Sequence, residues 1–197
     1  MFDYGEYLEV LVVDTKYQIL LDEVRQTYAS VVWTHKIQEK QADIYARRYE
    51  ILMTISIIAS AVTSYDVIAA IFGHSLWDKK LTACFSLVTL AITGYLKVFD
   101  LNNLSNANKV AAKKFVVLRD KLLYVICRIH MKEDFDDIQE KYESVVDDLN
   151  ELYLDAPSTT NKAVKNASQA LKSKREYTYS DEEIDCFLPP TLRGGIE

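Results

Sequence analysis

Glycine, proline and cysteine are scarce in this chain, and each shortage excludes a class of structure. Five glycines and three prolines occur in 197 residues, and none lies between Gly5 and Gly73 or between Gly94 and Pro157. With turn chemistry absent over such long stretches, the chain reads as nearly all helix and as one domain. Glycine-rich phosphate loops are excluded by the same shortage, and no GxSxG or HExxH pattern occurs. The three cysteines, Cys84, Cys127 and Cys186, lie far apart with no CxxC pair, which suits a reducing compartment and not a disulfide framework. An excess of positive charge is missing as well. A net charge of -6 argues against a direct nucleic-acid partner, because phosphates need a basic face. No secretory signal is visible, since roughly fifty mostly polar residues precede the first long apolar run.

What is present is a pair of such runs, at residues 51–72 and 81–98. About 20 apolar residues span a bilayer as a helix. The first run contains one formal charge, Asp66, and the second has none until Lys97, whose ammonium can snorkel to the headgroups. The pattern predicts a two-span hairpin with its turn at residues 73–80. Arg47 and Arg48 precede the first span, and Lys97, Lys109, Lys113 and Lys114 follow the second, so both termini are expected in the cytoplasm. Lys79 and Lys80 in the turn, offset by Asp78, oppose that assignment. The alternative is a soluble bundle with two fully buried central helices, which the mean hydropathy of -0.07 leaves open.

Outside the spans, apolar residues recur in steps of three and four. Val13, Tyr17, Leu20, Val24, Tyr28 and Val31 form one stripe; Phe115, Leu118, Leu122, Val125 and Ile129 a second; Ile138, Tyr142, Val145, Leu149 and Leu152 a third. Three such stripes predict a cytoplasmic bundle under the hairpin. The polar stretch before Ile51 reads as a helical stalk running straight into the first span. Ser158 or Thr159 is placed to cap a short helix reaching about Lys174 with small apolar positions, and residues 176–197 read as an extended tail containing Pro189-Pro190.

Catalytic chemistry has little to stand on. His35, His74 and His130 fall on different elements without metal-ligand spacing, and the acidic pairs lack the alternation of a calcium loop, so no cofactor or metal is expected. The spans carry more information. Thr82, Ser86, Thr89, Thr93 and Lys97 share one helical face, which can pack against neighbouring helices or line a wet path among several copies. In the first span Ala59, Thr63, Asp66, Ala70 and Gly73 share a face of small residues that permits close helix approach. A carboxylate in hydrocarbon costs about 2.5 to 3.5 kcal/mol, so Asp66 needs water, protein or a cation. It lies about 9 Å from the end of its span, within reach of Lys79 or Lys80 and far from Lys97.

The segments VVWTHKIQEKQADIYARRYEIL, ANKVAAKKFVVLRDKLL and LYLDAPSTTNKAVKNASQALK, followed by FLPPTLR and arranged around a tight hairpin, resemble the SLATT domains. These are two-transmembrane effector domains of prokaryotic conflict systems, found beside nucleotide-second-messenger synthases, SLOG sensors or reverse transcriptases. The resemblance spans nearly the whole chain, 1–197. It implies a pore-forming antiphage effector of the inner membrane that homo-oligomerises when a separate partner senses invasion and causes abortive infection. One hairpin cannot enclose a channel, so that function requires several copies. The rival expectation is a membrane-anchored interaction module that recruits a cytosolic partner without forming a pore.

Overall fold

In a computed structural model, the backbone is described for residues 4–71, 76–177, 180 and 183–184, and side chains for 14–64, 80, 82–177, 180 and 183–184. The described residues are mostly helical and contain no strand. Helix α1, Tyr4–Ile71, is a single element of 68 residues, which at 1.5 Å per residue extends about 100 Å. No glycine or proline interrupts it after Gly5, so nothing in the sequence stops propagation.

Helix α2, Leu76–Phe99, returns along the second half of α1, and α3, Leu101–His130, runs back along the first half. Only Asp100 separates α2 from α3. It adopts a left-handed conformation (φ 38°), which Asp tolerates, and its carboxylate accepts the Asn103 amide at 3.2 Å as the N-cap of α3. The Asn-rich start of this segment is therefore already helix. Helix α4, Phe135–Asp155, follows a short turn and is capped by Asp134, which accepts the Asp137 amide at 3.1 Å.

The predicted stripes meet. Leu20, Leu21, Val24 and Val31 of α1 pack with Phe115, Leu118, Leu122, Val125 and Ile129 of α3, and with Ile138, Tyr142, Val145, Leu149 and Leu152 of α4. The side chain of Val13 lies outside the described residues. Polar bonds fix the register at the bundle's far end. Tyr17 donates to the Glu133 carbonyl at 2.7 Å, and Arg128 pairs with Glu133 and Asp137. Helix α5, Asn161–Ser168, continues as a π-helical turn, Gln169–Ser173, and lays Ala163, Ala167 and Ala170 against α1. Its cap is Thr160, one residue beyond Thr159 and two beyond Ser158, the expected caps; Thr160 is also anchored to Gln41 of α1.

Candidate functional site

Beyond the bundle, α1 and α2 continue as a pair whose apolar side chains have no cover. Ile57 is 63% exposed, Leu90 69% and Val98 77%. The stretch Thr82–His130 contains a window apolar enough to cross a membrane, with mean hydropathy 1.5 and none of that window buried; it is the single such stretch among the described residues. The inward seam is narrow. Leu52, Ser56, Ala59 and Thr63 of α1 are the more buried positions, and on α2 so are Phe85, Thr89, Ile92 and Leu96. Ala59 is 2% exposed, which lets the helices approach closely.

The hydroxyl stripe divides between two environments. Thr82 and Thr89 are half-buried, while Ser86, Thr93 and Lys97 are exposed on the flank. Ser86 donates to the Thr82 carbonyl at 2.8 Å, Thr89 to Phe85 at 3.0 Å and Thr93 to Thr89 at 2.8 Å; Thr63 on α1 donates to Ala59 at 2.9 Å. Each of these four hydroxyls spends its proton on its own helix, leaving oxygen lone pairs to face a neighbour, water or a cation. The side chains of Asp66, Ala70 and Lys79, and Gly73 as a whole, lie outside the described residues.

A second cluster sits at the neck, where bundle passes into hairpin, and sequence reasoning missed it. The polar stretch of α1 is no free stalk: His35, Lys36, Gln38 and Gln41 are all buried, against α3 and the chain on either side of α5. His35 Nδ1 contacts the Ala112 carbonyl at 2.9 Å, and Nε2 meets the Tyr177 hydroxyl at 2.8 Å. The Tyr177 hydroxyl also lies 2.7 Å from Glu39 Oε2. With Nδ1 donating to a carbonyl, the neutral ring accepts at Nε2, so the single Tyr177 proton serves two acceptors.

Lys36 holds this arrangement together. Its ammonium donates to Glu39 at 2.9 and 3.1 Å, pairs with Glu176 and lies 4.6 Å from the centre of the Tyr177 ring. Arg119 covers the same ring at 5.5 Å. Gln38 donates to the Pro157 carbonyl at 3.0 Å, and Gln41 Oε1 accepts from the Thr160 amide and hydroxyl at 2.9 and 2.7 Å. Arg175 and Tyr177 are left-handed (φ 49° and 73°), a conformation that costs L-residues about 1 to 2 kcal/mol each. The clamp bonds offset that strain.

Burial lowers the His35 pKa from its ordinary 6.5, outweighing the Ala112 bond and the charge of Glu39. Burial alone would also lower that of Lys36, but hydrogen bonds to Glu176 and Glu39 overcome it and raise the value. For Glu39, burial pushes upward and is outweighed by bonds from Lys36 and Tyr177, so the net direction is down. Glu176 is lowered chiefly by its bond to Lys36. The clamp thus holds one lysinium between two carboxylates beside a neutral histidine.

A signal for it existed. The α1 stripe continues through His35, Gln38 and Ala42 at the same spacing, and the α3 stripe begins at Leu101, Ser105, Asn108 and Ala112. The period persists while polarity changes. No group of three His, Cys, Asp or Glu side chains among the described residues is arranged to hold a metal ion.

A helical bundle carrying an uncovered apolar helix pair defines an all-α protein with an apolar helix long enough to cross a bilayer. Residues 20–183 match the family model of the SMODS and SLOG-associating 2TM effector domain, family 4, and the chain belongs to that family. The SLATT resemblance read from the sequence is borne out, and with it the association with conflict systems as a two-transmembrane effector domain. No curated protein matches the chain, and no solved structure does.

Proposed function

We propose that this chain is a membrane effector whose α1–α2 pair inserts as a two-span hairpin in the bacterial inner membrane. Several copies then open a permeation path when a partner protein triggers them. The observation that carries this reading is the uncovered apolar helix pair rising from a well-packed bundle. In water such a surface would associate or precipitate; in lipid it is solvated. The cations Arg47, Arg48 and Lys97 at the bundle end of the pair favour a cytoplasmic bundle. The hydroxyl stripe supplies the polar wall that a multi-copy path needs. In the resting state the neck clamp holds α1 to α3, α5 and the residues that follow.

The test is expression in bacterial cells, alone and with neighbouring genes, while membrane potential and dye entry are recorded. Rapid depolarisation is expected under triggering conditions. Thr89→Leu with Thr93→Leu should abolish it while membrane insertion survives. Depolarisation at full strength in that variant removes the stripe from the mechanism. An unchanged potential in the triggered wild type favours instead an anchored module that recruits a cytosolic partner.

A further inference from the structure

A groove of about 500 Å³ opens between α1 and α2 at the base of the hairpin, lined by Arg48, Ile51, Leu52, Ala91, Ile92 and Tyr95. We infer that it binds an anionic phospholipid, with one acyl chain against the apolar lining and the phosphate on Arg48. The inference rests on the membrane reading above.

The argument is the direction of the polarity. Along α1 the bundle-side end of the lining is Arg48, and along α2, which runs the opposite way, it is Tyr95. The two residues with polar ends therefore lie at the same end of the groove, and Ile51, Leu52, Ala91 and Ile92 lie further along the hairpin. Arg48 precedes the apolar run by three positions, about 4.5 Å of helix, the depth at which a headgroup phosphate meets a span entering a bilayer. A phospholipid has the same order of chemistry from phosphate to hydrocarbon.

The space has a local cause. Ala91 presents a single methyl where a larger residue would fill the groove. The Tyr95 ring leans on Phe99, with centroids 4.5 Å apart. Arg48 has no hydrogen-bond or ion-pair partner among the described residues, and the same holds for Arg47 and Lys97 at this level. Glu50, two positions on, and Asp100, which follows α2, are both exposed, but neither pairs with Arg48. An unpaired guanidinium beside an apolar groove is suited to a phosphate, which it can hold through two parallel bonds, and its charge repels the ammonium of a choline headgroup, so a headgroup of net negative charge is preferred.

The experiment uses the full chain reconstituted in vesicles of phosphatidylcholine alone or mixed equally with phosphatidylglycerol. It is then re-extracted in mild detergent, and retained lipid is counted by mass spectrometry. Wild type should keep phosphatidylglycerol in preference to phosphatidylcholine. Arg48→Gln should cut that preference about tenfold, the worth of one charge-assisted bond. Ala91→Phe, which fills the groove, should remove retention of both lipids. Equal retention of the two lipids by wild type, or retention untouched by Arg48→Gln, overturns the inference. Cross-linking of Ala91→Cys to a second copy with no retained lipid overturns it too, by assigning the groove to a helix of another subunit. Failure of wild type to float with either vesicle refutes the membrane reading itself, a separate outcome read before any lipid is counted.

Discussion

Lys36 offers a sharp test because its charge is buried and its partners can be removed one at a time. Its side chain is 3% exposed, while the carboxylates of Glu39 and Glu176 are each 33% exposed. Glu176→Ala removes one charged hydrogen bond but leaves Glu39 in place. With water screening the exposed partner, the expected cost is about 1 kcal/mol. Removing both carboxylates strands a lysinium with no counter-charge, and such orphaned buried charges cost about 3 to 5 kcal/mol. For a chain of this size the double variant should lower the thermal midpoint by about 6 to 20 °C. Adding Lys36→Met should recover most of the loss, because an apolar side chain of similar length needs no counter-charge there. Circular dichroism of the detergent-solubilised chain reads all three variants. If the triple variant melts as low as the double, the buried charge is not the cause and the clamp has been misread.

Acidification should loosen the same clamp. The folded-state pKa of His35 is depressed, so its contribution is complete above pH 6.5 and is lost as pH falls below that value. Glu39 and Glu176 are depressed from 4.5 and add a second loss below it. Lys36 and Tyr177, both raised, face these groups and stay protonated throughout the range, and the Arg119 guanidinium lies over the Tyr177 ring. Midpoints measured between about pH 8 and pH 5 should fall, and His35→Gln should flatten the decline; a flat wild-type profile would falsify the assignment. Phe115→Ala empties a fully buried position of the bundle core and should cost about 3 to 5 kcal/mol by denaturant titration. Thr160→Ala removes the cap of α5 and the hydroxyl bond to Gln41, while the amide bond at the same position remains. Amide exchange should accelerate in Asn161–Ser168, equivalent to about 1 to 2 kcal/mol, with the bundle core unchanged.

The bundle was legible because burial there is apolar. Tyr17 through Val31, Phe115 through Ile129 and Ile138 through Leu152 advertise their inward faces by hydrophobicity alone. The neck was not, because the residues turned inward at His35, Lys36, Gln38 and Gln41 are the types that usually face water. Their partners arrive from Pro157, Thr160, Glu176 and Tyr177, well over a hundred positions away, and no local spacing announces such pairings. The hydroxyl stripe shows a third case. A shared helical face is fixed by spacing, but which part of it turns toward α1 depends on where Ala59 allows close approach, so Thr89 went inward and Thr93 outward.

The two legs of the hairpin join the bundle differently, and this shapes how motion can pass between them. The outgoing leg is one unbroken helix, so a twist of Tyr17 through Val31 about the long axis cannot be absorbed before Ile51; it must reappear in the apolar segment as rotation or tilt. The returning leg meets the bundle through one left-handed residue, Asp100, with Leu101 buried directly after it. One leg is thus a rigid shaft continuous with the bundle, and the other is hinged to it at a single residue whose position Leu101 fixes.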